Sequence, residues 1–262
     1  MLDILCATDL SPTAAAGVLF ADDLASRMAG NVTLLHVLGK NERTGEGRDK
    51  AQVFMDRHAS LVEHTTVTEL MLEGDALATI AEEASRHAMM VCATHGPQGL
   101  RQQLFGADIL KLVRKLPVPC LVVQDQSTVP ARPGPVVLPV AGHENITGLL
   151  DAVVMLARAY QAPVHIFQLL RPGESPSDQL LENKKRMMLH LEEHGVSHEE
   201  IDVPGTTFSI GFAAGTIAHA RKAEASCIAI MADASDEYRY MADAEKERML
   251  TNEHGIPVLC AP

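Results

Sequence analysis

The chain has 262 residues, 47% of them hydrophobic and only 3% aromatic, with no Trp. That length holds one large domain or two ordinary ones, and the apolar content excludes a globally disordered chain. The formal charge of −12 is shared by both halves, with 11 basic against 16 acidic residues over 1–130 and 11 against 18 beyond, and no long basic run, so nucleic acid and anionic membrane are excluded as expected partners.

In chain order, short apolar runs alternate with longer helical patterns. "DILCAT" reads as a strand, "AAAGVLFADDLASRMAG" as a helix, and "NVTLLHVL" as a second strand. A polar loop, a helix near "DKAQVFMDRHASLVEH", the strand "TVTELMLEG", a helix through "ALATIAEEASRHA" and the strand "MMVCATH" follow. A last helix around "ADILKLVRKL" leads into "PCLVVQ". Continuous Val/Leu/Ile-rich strands separated by helices, with an apolar content of aliphatic rather than aromatic residues, predict a parallel sheet covered on both faces. Residues 1–125 are expected to form one such α/β domain. Residues 126–134, in the Pro-rich stretch "DQSTVPARPGPV", read as a linker.

The pattern then starts again, giving a second expected domain over 135–262. "AGNVTLLHVL" matches "QAPVHIFQLL" in apolar rhythm at an offset of 132, whereas "VPCLVV" and "IPVLCA" near the two ends match at 138, which implies a loop-sized insertion of six residues. Each of the five cysteines (Cys6, Cys92, Cys120, Cys227 and Cys260) lies in a predicted strand, and no two have CxxC spacing. They read as buried thiols of a reducing compartment. Asp3 and Asp9 interrupt the opening where a leader would be apolar, and no apolar run reaches the ~20 residues of a membrane helix, so the expected location is cytoplasmic.

The segment "VCATHGPQGLRQQLFGADI" places Gly96, Gly99 and Gly106 between a strand and a helix. Glycines there serve as plain turn residues or as a phosphate cradle of exposed backbone N–H groups at a helix N-terminus. Taken with Thr8-Asp9-Leu10-Ser11 at the end of the first strand, "VTLLHV" in the second, and "THG" followed by a glycine ten positions on, the chain resembles the universal stress protein family. The resemblance covers the first half; in the second half, strand order and the closing "IPVLC" persist without the motif residues.

The resemblance implies two tandem Rossmann-like α/β domains, each an open five-stranded parallel sheet of order 3-2-1-4-5 with helices on both faces. It also implies a nucleotide motif, G-x2-G-x9-G-[ST], that some members of the family use to bind ATP and others lack. The matching positions here are Ala93, Gly96, Gly106 and Ala107. Asp9 would accept from ribose hydroxyls and the Val37 backbone would read an adenine edge. Ala93 in place of glycine obstructs close backbone approach, Ala107 lacks the hydroxyl of Ser or Thr, and Asp108 would repel a phosphate tail, so AMP or ADP is favoured over ATP. Family members pair through their last strands, which implies an intramolecular pseudo-dimer of "PVPCLVV" with "IPVLC", with a homodimer also open. The expected function is stress-response regulation with an adenine-nucleotide site in the first domain. The alternative is a tandem scaffold that binds no nucleotide and acts through protein contacts. A slow ATPase is a weaker third reading, since no general base or metal-binding carboxylate cluster is visible.

At the offsets of 132 and 138, Asp9 becomes Ala141, Ala93 becomes Met231, Gly96 becomes Ala234, Gly106 becomes Ala244 and Ala107 becomes Glu245. The second domain is therefore read as degenerate. The same segment of Ser11-Pro12 also fits a helix start, with Ser11 as N-cap and Pro12 in the first turn. "HLEEH" (190–194) matches H-x-x-E-H, with His198 close behind, but no partner helix with a further ligand is evident, and no metal is expected. "TGEGRDK" has Lys50 where a third glycine belongs and reads as a loop. His95 reads as a polar residue at a strand end, and Met89 and Met90 as core.

Overall fold

The computed structural model describes residues 2–94, 109–170, 173, 175–204, 211–233 and 239–262. The chain forms two compact units, Met1–Val129 and Pro130–Ala261. The first contains β1 (Ile4–Ala7), α1 (Ala14–Arg27), β2 (Val32–Leu38), α2 (Gly45–Ala59), β3 (Val67–Glu73), α3 (Ala76–Ala84), β4 (Met89–Thr94), α4 (Ile109–Lys115) and β5 (Cys120–Gln124). Its strands run in the order β3-β2-β1-β4-β5, and every pair is parallel.

The second unit contains β6 (Val136–Pro139), α5 (Thr147–Tyr160), β7 (Val164–Leu170), α6 (Asp178–Glu193), β8 (His198–Pro204), α7 (Phe212–Lys222), β9 (Cys227–Met231), α8 (Arg239–Leu250) and β10 (Val258–Ala261). Its order, β8-β7-β6-β9-β10, is again 3-2-1-4-5 within the unit, and its pairs are parallel. Each unit is thus the open α/β sheet that the aliphatic runs predict. β6 begins 132 residues after β1 (136 against 4) and β7 132 after β2 (164 against 32). β8 begins 131 after β3 (198 against 67), but β9 begins 138 after β4 (227 against 89). The insertion read from the sequence therefore falls in the crossover from β8 to β9.

Parallel strands need crossover connections, and right-handed crossovers put helices on both sheet faces. In the first unit α1 packs against α2 and α3 against α4; in the second α5 packs against α6 and α7 against α8. Strands β1, β4 and β5 are buried along their whole length, whereas β3 has no fully buried residue. All five cysteines are buried on strands, and Met89 and Met90 are core residues. Among the described residues no helix is long and apolar enough to cross a membrane.

"TGEGRDK" departs from its sequence reading: Gly45 to Lys50 form the first turns of α2 rather than a loop. The reason is local. A 3₁₀ turn over Lys40–Glu42 precedes the helix, and its Asn41 carbonyl oxygen occupies the space that a Cβ of Gly47 would need. The glycine serves close backbone packing.

A buried carboxylate ties α1 to the loop before β3. Asp22 accepts from the backbone N–H of Glu63 (2.9 Å) and of His64 (3.0 Å), from Thr65 Oγ1 (2.8 Å) and from His64 Nδ1 (2.8 Å). Burial alone would raise the Asp22 carboxyl, but these four donors outweigh it and hold the group below the usual carboxylate range. The exposed His64 imidazole is raised in return, chiefly by its hydrogen bond to Asp22. The Asp22 contribution is therefore present above its unfolded value of about 3.9 and is lost as pH falls through the lowered folded value. The His64 part is complete below about 6.5 and is lost as pH rises through the raised folded value. Asp22→Asn is expected to cost about 1–3 kcal/mol in urea unfolding, with the largest loss between about pH 4 and 6.5.

Candidate functional site

In an open parallel sheet, ligands bind outside the carboxyl ends of strands where the strand order reverses. In the first unit this point lies between β1 and β4, where Ala7 is level with Cys92. The chain leaves β1 through Thr8, Asp9, Leu10 and Ser11, and the turn is closely held. Leu10 has φ +62°, in the left-handed region that a leucine rarely adopts. Its N–H donates to Thr8 Oγ1 (3.0 Å), and the Ser11 N–H donates to Asp9 Oδ1 (3.0 Å). Ser11 lies in the turn that leads into α1, its Oγ accepting from the N–H of Ala14, the first residue of that helix (3.3 Å).

Two buried histidines brace this turn. Thr8 Oγ1 lies 2.9 Å from His58 Nδ1. Thr8 Oγ1 already accepts from the Leu10 N–H, which leaves its own hydroxyl hydrogen to donate to Nδ1. Burial pushes the His58 imidazole below its usual range; Asp9 opposes the shift and the neighbouring His36 adds to it. His36 Nδ1 lies 2.9 Å from the Thr8 carbonyl, and its Nε2 lies 3.2 Å from Glu42 Oε2. Glu42 also accepts from the Gly39 N–H at 2.7 Å, so the end of β2 and the end of β1 share one polar network.

Val37 sits on β2 beside this turn. The Leu35 carbonyl accepts from the Thr8 N–H (2.9 Å), and Val37 shares the parity of Leu35. Its backbone N–H and C=O are therefore directed to the β1 side, beyond the last paired residue of β1. Leu10, the next residue along that ladder, is turned inward to Thr8 instead. Ala93 is buried near the end of β4. A Cβ on Gly17 would lie only 3.2 Å from the Ala93 N and 3.5 Å from its Cβ, so α1 approaches β4 here as closely as a glycine allows. Gly96, Gly106 and Ala107 lie outside the described residues, as do His95, Gly99 and Asp108. Asp9, Val37 and Ala93 gather at the carboxyl ends of β1, β2 and β4. The bracing residues His36, Glu42 and His58 escaped the sequence reading. Their only signal was a histidine inside each of two apolar patterns.

At the corresponding place in the second unit, described side chains take the backbone groups. Ala141 stands where Asp9 does, and its carbonyl, with that of His143, accepts from the buried Asn183 Nδ2 (2.7 and 2.8 Å). The Met231 carbonyl at the end of β9 accepts from the buried Lys246 ammonium. Glu245 accepts from the backbone N–H of Ala213 in the first turn of α7, where a carboxylate complements the helix dipole.

Compared with known proteins, residues 1–124 match the universal stress protein family. Among solved structures, a universal stress protein from Archaeoglobus fulgidus DSM 4304 superposes with a TM-score of 0.70 at 14% identity, covering 99% of this chain and 96% of its own. A chain assigned to the universal stress proteins from Pseudomonas aeruginosa UCBPP-PA14 gives 0.59 at 16% identity, covering 100% and 93%. A functionally unknown protein from Pseudomonas aeruginosa PAO1 gives 0.55 at 17%, covering 100% and 92%. At these identities the likeness is one of fold. No curated protein matches the chain.

The brace at Thr8 has a measurable weight. Thr8→Val strands the Leu10 N–H and the His58 ring, and is expected to cost about 1–3 kcal/mol in urea unfolding near pH 8. A histidine held below its unfolded value stabilises fully above about 6.5 and loses that contribution as pH falls through the folded value. The cost of Thr8→Val should therefore shrink toward pH 5.

Proposed function

We propose, for a chain whose residues 1–124 belong to the universal stress protein family, that the first unit binds an adenine nucleotide across the carboxyl ends of β1, β2 and β4 and serves a stress-response regulatory role. The observation that carries this reading is the turn after β1. Leu10 is held at φ +62° by Thr8, beside Asp9 and the open backbone edge of Val37. Backbone held in a sparsely populated region persists only where surrounding structure enforces it, and such positions cluster at ligand sites.

In this reading Asp9 accepts from ribose hydroxyls, the Val37 backbone pairs with the adenine edge, and Gly96 and Gly106 admit the phosphates. Ala93 and Ala107 weaken the phosphate end and Asp108 opposes it, which favours AMP or ADP over ATP. The second unit binds no nucleotide, because Asn183, Glu245 and Lys246 hold the equivalent backbone groups. Pairing of the two halves through "PVPCLVV" and "IPVLC", and a homodimer of the whole chain, belong to the same reading and rest on the family resemblance. A scaffold without nucleotide is the second reading. It is favoured by one observation: Asp9 Oδ1 already accepts from Ser11, as it would in a purely structural turn.

Extraction of the purified chain for bound adenine nucleotide, followed by calorimetric titration with AMP, ADP and ATP, separates the two. AMP or ADP binding is expected, weakened about tenfold by Asp9→Ala, a loss of about 1.4 kcal/mol. Gly106→Glu should abolish it while leaving the circular dichroism unchanged. No heat from any of the three nucleotides at millimolar concentration rejects the nucleotide reading in favour of the scaffold.

A further inference from the structure

The end of α6 carries a second constellation, independent of the nucleotide reading. His190 and His194 lie one helical turn apart, with ring centroids 4.3 Å from each other and planes 29° apart. The Nδ1–H of His194 donates to the His190 carbonyl at 2.8 Å. This fixes the proton on Nδ1 and leaves the Nε2 lone pair free to ligate, the arrangement that metal-binding histidines adopt. Glu193 sits beside them, and one ligand atom from each of His190, Glu193 and His194 lies within 4.8 Å of the others.

In the sequence, "HLEEH" lacks a further ligand on a partner helix. The structure supplies one. Asp151 of α5 brings Oδ1 to 3.1 Å from His190 Nε2. The orientation makes no hydrogen bond, and among the described residues this Nε2 is the buried side-chain polar atom without a hydrogen-bond partner. A buried nitrogen next to a carboxylate that does not bond it has the form of two ligands awaiting a cation. Arg158, two turns along α5, donates through Nη2 to the His194 carbonyl at 2.5 Å and holds the two helices together at this point. His198 takes no part; its Nδ1 faces the Val196 carbonyl at 3.5 Å.

We propose that His190, His194, Glu193 and Asp151 form a site for one divalent transition-metal ion of the zinc class, linking α5 to α6. Two imidazole nitrogens with two carboxylate oxygens suit tetrahedral Zn²⁺, whereas Ca²⁺ and Mg²⁺ take oxygen ligands. Metal–ligand bonds of about 2.0–2.2 Å place tetrahedral ligand atoms about 3.3 Å apart. Glu193 and Asp151 are both exposed, so their carboxylates have room to turn toward the two imidazoles.

The test uses the full chain without an affinity tag, stripped with chelator and titrated with Zn²⁺ against a chromogenic chelator, then with Co²⁺ to record the absorption bands of a tetrahedral site. One ion per chain is expected. The His190→Ala/His194→Ala double variant should lose at least about a hundredfold in affinity, and Asp151→Asn and Glu193→Gln about tenfold each. The two carboxylate changes lie on the surface and keep the test valid if the histidine variant fails to fold. Absence of saturable binding by the wild-type chain, or unchanged affinity in the double variant or in both carboxylate variants, overturns the proposal.

Discussion

A parallel strand runs out of partners at its carboxyl end, and whatever follows must satisfy or expose the backbone groups left there. Both units meet this constraint at the same topological place and answer it differently. In the first, Thr8, His58, His36 and Glu42 secure the chain just after β1 while Val37 keeps a backbone edge directed past the end of that strand. In the second, side chains reach in from α6 and α8 to take the carbonyls of Ala141, His143 and Met231. The fold is one; the treatment of its strand ends is not.

The helices that follow the second strand of each unit make the contrast concrete. At the offset of 132, His190 of α6 occupies the position of His58 in α2. His58 turns to the loop after β1 and braces it. In the second unit Asn183, two turns earlier on the helix, has taken over the equivalent loop, and His190 faces α5 instead. A side chain released from one structural duty at an equivalent position is available for another.

Much of the architecture could be read from the residues because the signals are local. Aliphatic runs such as "NVTLLHVL" need burial on both faces, and their spacing repeats at 132 and 138, so strands and doubling are legible before any coordinates. Other features depend on what distant residues do. Gly47 looks like a loop glycine until the carbonyl of Asn41 is placed against it. Lys246 lies in a strongly charged run of the sequence, yet it is buried with its ammonium on the Met231 carbonyl. Nothing in the spacing of Asp151 connects it to His190; only the packing of α5 on α6 does. For the candidate site in the first unit, Asp9 was named through the resemblance that "TDLS" carries at a strand end. Its bracing histidines were not, because a histidine in an apolar pattern does not announce its partner.

The placement of the five cysteines has a kinetic consequence. Cys6, Cys92 and Cys120 sit on β1, β4 and β5, and Cys227 and Cys260 on β9 and β10, all buried. Burial pushes the thiols of Cys6 and Cys227 far above the ordinary range, so the nucleophilic thiolate is scarce while the sheets are intact. An alkylating reagent can therefore consume these sulfurs only as fast as the strands that carry them open. β2, β3, β6, β7 and β8 bear no such reporter, so the thiols form a native clock for opening of the strand pairs that hold them and remain blind to fraying at the β3 and β8 sides.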